Sequence, residues 1–83
     1  MEYNGSCRCL LSYSWRDAGT DYSIICNDIY LYSKVPARKN HVAYTVIYSI
    51  RGEWLKNAGK NFFNKYFIDL QEERDIKLDQ ILE

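Results

Sequence analysis

The spacing of apolar residues changes period once between His41 and Phe67, and that change limits what the chain can fold into. Val42, Tyr44, Val46, Tyr48 and Ile50 alternate with Ala43, Thr45, Ile47, Ser49 and Arg51, which is the period of a strand. From Glu53 onward the period lengthens. Leu55, Ala58, Phe62 and Tyr66 follow +3, +4, +4 spacing, with Trp54 and Phe63 beside them. The switch falls at Arg51-Gly52. The pattern predicts a strand over 42–50 followed at once by a long helix over 53–67 that folds back on it. The bulkier strand face, from Val42 to Ile50, is expected to bury against the helix stripe. Glu53 in the first turn suits the helix dipole. Gly59 inside the helix costs about 1 kcal/mol relative to Ala.

The earlier part of the chain reads as strands. Cys7, Cys9, Leu11, Tyr13 and Trp15 alternate with Arg8, Leu10, Ser12, Ser14 and Arg16, as in a half-buried strand. Asp17-Ala-Gly-Thr20 has turn chemistry, so a hairpin is expected there. The stretch from Tyr22 to Lys34 is rich in Ile and Tyr. It is read as one strand with an irregularity at Asn27-Asp28, the alternative being two short strands. The stretch 35–40 holds the only proline, Pro36, and reads as a loop. Asp69 with Glu72 three residues on resembles a capping box, so a second helix is expected over 70–82, with Leu78, Ile81 and Leu82 as its apolar stripe. The runner-up places a fourth strand over 67–70. The expected fold is α+β: an antiparallel sheet of three to four strands packed against one long helix, with a shorter C-terminal helix, in a single domain over 1–83.

Charge is neutral overall but split. Residues 1–52 carry six bases and four acids, 53–67 three bases and one acid, and 68–83 six acids and two bases. A neutral whole argues against generic nucleic-acid affinity, which rests on many phosphate contacts. No run of about 18 apolar residues occurs, so no membrane span is expected. The N-terminus has no signal-peptide pattern, and three cysteines make a poor disulfide framework; a cytoplasmic setting is expected. A disulfide from Cys26 to Cys7 or Cys9 is the minor alternative.

The chemistry-bearing residues do not assemble into a catalytic set. Cys7-x-Cys9, Cys26 and His41 are the only soft-metal donors, and their spacing does not match a zinc site. His41 has no nucleophile partner in any motif, and no Gly-rich phosphate loop is present. Neither an enzyme nor a metal or cofactor is expected. Tyrosines are unusually frequent, eight in 83 residues. Tyr22, Tyr30, Tyr32, Tyr44 and Tyr48 would share a sheet face that is either core under the helix, the reading favoured here, or a platform for bases.

By elimination the chain is expected to be a small non-enzymatic protein–protein interaction module. Its specific form would be an inhibitor of a larger host protein machine, such as an anti-defence protein of a phage or mobile element. That step rests on small size and missing motifs. The alternative is a nucleic-acid-binding module using the tyrosine face and scattered Lys and Arg. Candidate partner contacts are Trp15, Arg16, Arg38, Lys39, Lys56, Lys60, Asp69, Glu72, Glu73 and Asp75. Pairing of sheet edges in a homodimer is the further option.

Overall fold

The computed structural model describes residues 3–82, with side chains for 3–76. In chain order the elements are β1 (Gly5–Cys9), β2 (Tyr13–Asp17), β3 (Thr20–Ile24), β4 (Ile29–Val35), β5 (Tyr44–Tyr48), β6 (Trp54–Ala58), α1 (Lys60–Tyr66), β7 (Phe67–Asp69) and α2 (Leu70–Leu82). Five strands form one antiparallel sheet in the order β6-β5-β4-β1-β7. Strands β2 and β3 pair with each other as a separate hairpin. The α+β content stands, but a sheet of three to four strands under one long helix does not. The main sheet has five strands, and the two helices have 7 and 13 residues.

The largest correction falls on 53–67. Its first part is a strand, because the period change is a hairpin turn. The Ser49 carbonyl accepts the Gly52 N–H, and the Ser49 N–H donates to the Glu53 carbonyl, both at 2.9 Å. The Ser49 hydroxyl oxygen also accepts the N–H groups of Arg51 and Glu53, at 3.2 and 3.1 Å. Gly52 has φ +88°, the left-handed conformation that closes a three-residue hairpin loop. Strand β6 then pairs with β5, Thr45 opposite Ala58 and Ile47 opposite Lys56, and the register slips before Tyr48 meets Trp54. This pairing overrides the helix preference of Leu55, Lys56 and Ala58 by giving the stretch backbone partners on β5, and it buries Ala58 completely. Gly59 is therefore no flaw inside a helix. It is extended, and its carbonyl accepts the Phe63 N–H at 2.9 Å as α1 begins.

Two long strand expectations also break. Cys7 to Trp15 is interrupted over 10–12, where the Leu10 N–H turns to the Tyr66 carbonyl at 2.7 Å. The stretch 22–34 is two strands, not one with an irregularity. Asn27 adopts φ +76°, and the Asp28 N–H bonds the Ile25 carbonyl at 3.0 Å. The expected hairpin at 17–20 is present, with Asp17 opposite Thr20 and positive φ at Ala18 and Gly19. The C-terminal helix begins where the capping pattern placed it. Asp69 Oδ1 accepts the Gln71 and Glu72 N–H groups at 2.7 and 3.4 Å. The runner-up strand coexists with it as β7. The expected stripe of Leu78, Ile81 and Leu82 lies outside the described side chains.

The core lies on one face of the five-stranded sheet. Cys7, Cys9, Ile24, Tyr30, Tyr32, Ile47, Ala58 and Phe67 form its buried cluster, with Trp15, Leu55, Phe62, Phe63 and Tyr66 packed against it. Helix α1 covers β5 and β6, while α2 packs on β1 and β7. Ile47, not the bulkier face of β5, meets the helix side. Tyr44, Val46 and Tyr48 alternate onto the opposite face, where Tyr3 lies edge-on to Tyr48 at 5.1 Å. Val42 and Ile50 fall outside β5 and are exposed. Among the described residues no helix is long and apolar enough to cross a membrane.

Candidate functional site

Aromatic side chains attach the β2–β3 hairpin to the body. Trp15 and Tyr22 face each other across the hairpin and stack at 5.6 Å, 15° apart. Trp15 also stacks on Tyr13, which meets Phe62 and Tyr66 of α1 at 5.4 and 5.2 Å. Tyr22 reaches Trp54 on β6 at 5.9 Å. The Lys56 ammonium lies 5.3 Å from the Trp15 ring and 5.0 Å from the Phe62 ring, so it is held between hairpin and helix. Ring contacts thus bridge two sheets that share no ladder.

The neck of this hairpin carries an apolar surface. Leu10, Leu11, Tyr13 and Ile25 are 41, 48, 38 and 49% exposed. The backbone that presents them is pinned. The Asn27 N–H bonds the Cys9 carbonyl at 2.7 Å, the Cys9 N–H bonds the Asp28 carbonyl at 2.9 Å, and the Cys26 N–H bonds the Ser12 hydroxyl at 2.9 Å. The Tyr30 hydroxyl accepts the Ile25 N–H at 2.8 Å. Sequence reasoning missed this cluster because it placed Leu10 and Leu11 on opposite faces of one continuous strand. Two adjacent leucines followed by Ser12, at the point where alternation stops making sense on either face, were the available signal.

A groove of about 610 Å³ opens between α1, the ends of β4 and β5, and the first turn of α2. Tyr32, Lys34 and Thr45 are part of its lining from the sheet, Lys60 and Phe63 from α1, and Asp69 and Glu72 from the α2 start. Behind it the Tyr32 hydroxyl donates to Asp69 Oδ2, tying β4 to the cap of α2 across β1. Gly5 makes that crossing feasible, since a Cβ there would lie 2.9 Å from the Tyr32 hydroxyl oxygen. Burial and the bond to Asp69 push the Tyr32 phenol up to about 12. Burial pushes the Asp69 carboxyl upward, but the Tyr32 hydroxyl, the Gln71 and Glu72 N–H groups and nearby Lys34 outweigh it and hold the group below its ordinary range.

The ten expected contact residues do not form one surface. Lys60, Asp69 and Glu72 meet in the groove, while Trp15 and Lys56 meet in the ring row. Arg16 pairs with Asp21 at 3.6 Å on the exposed side of the hairpin. Glu73 pairs with Arg8 at 3.3 Å, and Asp75 accepts from Gln71 at 3.3 Å. Arg38 bridges to His41 through backbone bonds of 2.9 and 3.1 Å, and exposed Lys39 lies between them. The expected five-tyrosine face is also divided. Tyr30 and Tyr32 are core, Tyr22 belongs to the hairpin, and Tyr44 and Tyr48 lie on the other sheet face.

The thiols are free, so the minor disulfide expectation is not met. Burial pushes Cys7 up to about 12 and raises Cys9 as well. Burial thus favours the protonated thiol at both positions. Among the described residues no group of three or more His, Cys, Asp or Glu side chains could hold a metal ion. The sheet edges are β6, with its register slip and Lys56, and three-residue β7; such features hinder edge pairing with a second copy. A scan against protein-family models and searches of curated proteins and of solved structures each return no match.

Proposed function

We propose that this chain is a non-enzymatic protein-binding module that docks through the hairpin neck. The carrying observation is the exposed group of Leu10, Leu11, Tyr13 and Ile25 on hydrogen-bonded backbone. Apolar side chains left exposed at the open end of a hairpin favour association with an apolar partner surface. A backbone already held in place loses less freedom on binding, so more of the burial appears as affinity. The occupant is a larger protein presenting an apolar patch. Inhibition of a host protein machine, in the manner of phage and mobile-element proteins, is the biological form of the proposal, since blocking a surface needs no catalytic group. The tyrosine platform that would favour nucleic acid has no support from the geometry, because Tyr30 and Tyr32 are buried.

Affinity capture from the native host tests this. The wild-type chain is expected to retain a specific partner that Leu11→Asp and Ile25→Asp lose, while circular dichroism of both variants is unchanged. A partner retained equally by both variants contradicts docking at the neck. Tight, steeply salt-dependent binding of labelled single or double strands, with no protein captured, would favour the nucleic-acid reading instead.

A further inference from the structure

We propose that the groove between α1 and the first turn of α2 binds a small zwitterion with an apolar body, of the amino-acid or short-peptide class. Its volume of about 610 Å³ is that of a small-molecule site. Its charges are separated by element. Lys34 on β4 and Lys60 on α1 supply the positive side, and Asp69 and Glu72 at the start of α2 supply the negative side. Between them Val35, Pro36, Ala43 and Phe63 present apolar surface.

The two ion pairs among the described residues, Arg8–Glu73 and Arg16–Asp21, use none of these four groups. Asp69 is already bonded by the Tyr32 hydroxyl and two backbone N–H groups. Lys60 therefore remains available to a ligand carboxylate and Glu72 to a ligand ammonium, while Lys34, which already lies near Asp69, adds positive charge on the carboxylate side. A purely anionic ligand would meet repulsion from the α2 side, and a purely cationic one from the lysines. A ligand with both charges and an apolar body satisfies the groove at each point.

The test is a titration followed by amide chemical shifts, with leucyl-leucine bearing free termini as probe. N-acetylated and C-amidated forms are the comparison, and free leucine separates the amino-acid from the peptide case. Shifts at Thr45, Phe63 and Asn64 are expected, with a dissociation constant of about 1 mM or tighter. Blocking either terminus is expected to weaken binding about tenfold, the effect of one charge-assisted hydrogen bond. In the Lys34→Met, Lys60→Met double variant, amidation no longer matters, whereas in Glu72→Gln acetylation no longer matters. All three groups are at the surface of the groove, so the fold tolerates these changes. Absence of shifts at about 10 mM probe, equal binding of free and blocked forms, or variants with the wild-type sensitivity to blocking would each overturn the proposal. The neck is a separate surface, so loss of partner capture there has no bearing on this result.

Discussion

Gly5 is occupied by the one residue small enough to let Tyr32 pass over β1. The ring would press on any Cβ there, with its hydroxyl oxygen at 2.9 Å and its Cζ at 3.1 Å. The ring cannot swing clear cheaply, because it is 5% exposed and its hydroxyl bonds Asp69. Gly5→Ala is expected to cost about 1–3 kcal/mol by overpacking. In a Tyr32→Phe background, where the ring is released from Asp69, the cost should shrink, giving a coupling of at least about 0.5 kcal/mol in urea unfolding. An equal cost in both backgrounds would separate the glycine from the tyrosine link.

The same pair makes stability depend on pH. Tyr32 titrates at about 12 in the fold against an ordinary 10.0, so its contribution is complete below pH 10.0 and is lost as the pH rises toward 12. Asp69 has the opposite sign. Its folded value lies below the ordinary 3.8, so its contribution is complete above that value and is lost as the pH falls through the lower folded one. Urea midpoints are expected to fall above pH 10.0, and the difference between wild type and Tyr32→Phe should narrow over the interval up to 12. A difference that stays constant there would deny the link.

At the scale of elements, one hairpin turn and one helix start were legible, whereas the turn at 49–53 was not. Asp17-Ala-Gly-Thr20 announced its hairpin, and Asp69 with Glu72 announced the start of α2. Ala18 is nevertheless a poor choice for its place, since it adopts φ +50° beside Gly19. An L-residue with a Cβ pays about 1–2 kcal/mol there, and asparagine pays less. Ala18→Asn is expected to stabilise by about 0.5–1 kcal/mol, raising the melting temperature by several degrees. An unchanged or lower melting temperature would mean that the turn is not strained.

Strand β6 was illegible for a physical reason. Leu55, Ala58, Phe62 and Tyr66 have helical spacing, yet they are divided between a strand and a helix by Gly59. Five residues are too few for a period to declare itself, and β5 decides the matter by pairing with them. The breaks over 10–12 and 25–28 likewise depend on distant partners. The Tyr66 carbonyl takes the Leu10 N–H, and the Cys9 carbonyl takes the Asn27 N–H.

Across the whole molecule, one sheet face holds the core and both candidate surfaces border it. The neck lies where the hairpin leaves the main sheet, and the groove lies beside α1 at the ends of β4 and β5. Lys60, Asp69 and Glu72 were among the ten residues expected as contacts, and the fold brings these three to one groove. Lys34 was noted only as a local base beside the loop. The neck could not be foreseen while Leu10 and Leu11 were assigned to a continuous strand, because that assignment gave Leu11 to the core. Exposed apolar groups become visible only once the chain is known to leave the sheet there.

The central claim is that the neck is the docking surface. Hydrogen exchange of the chain, free and bound to its captured partner, reads this directly. The account predicts new protection at 10–13 and 24–26 and little change in β4 and β5. Protection confined to α2 or to β4 and β5, with the neck exchanging as in the free chain, would contradict it.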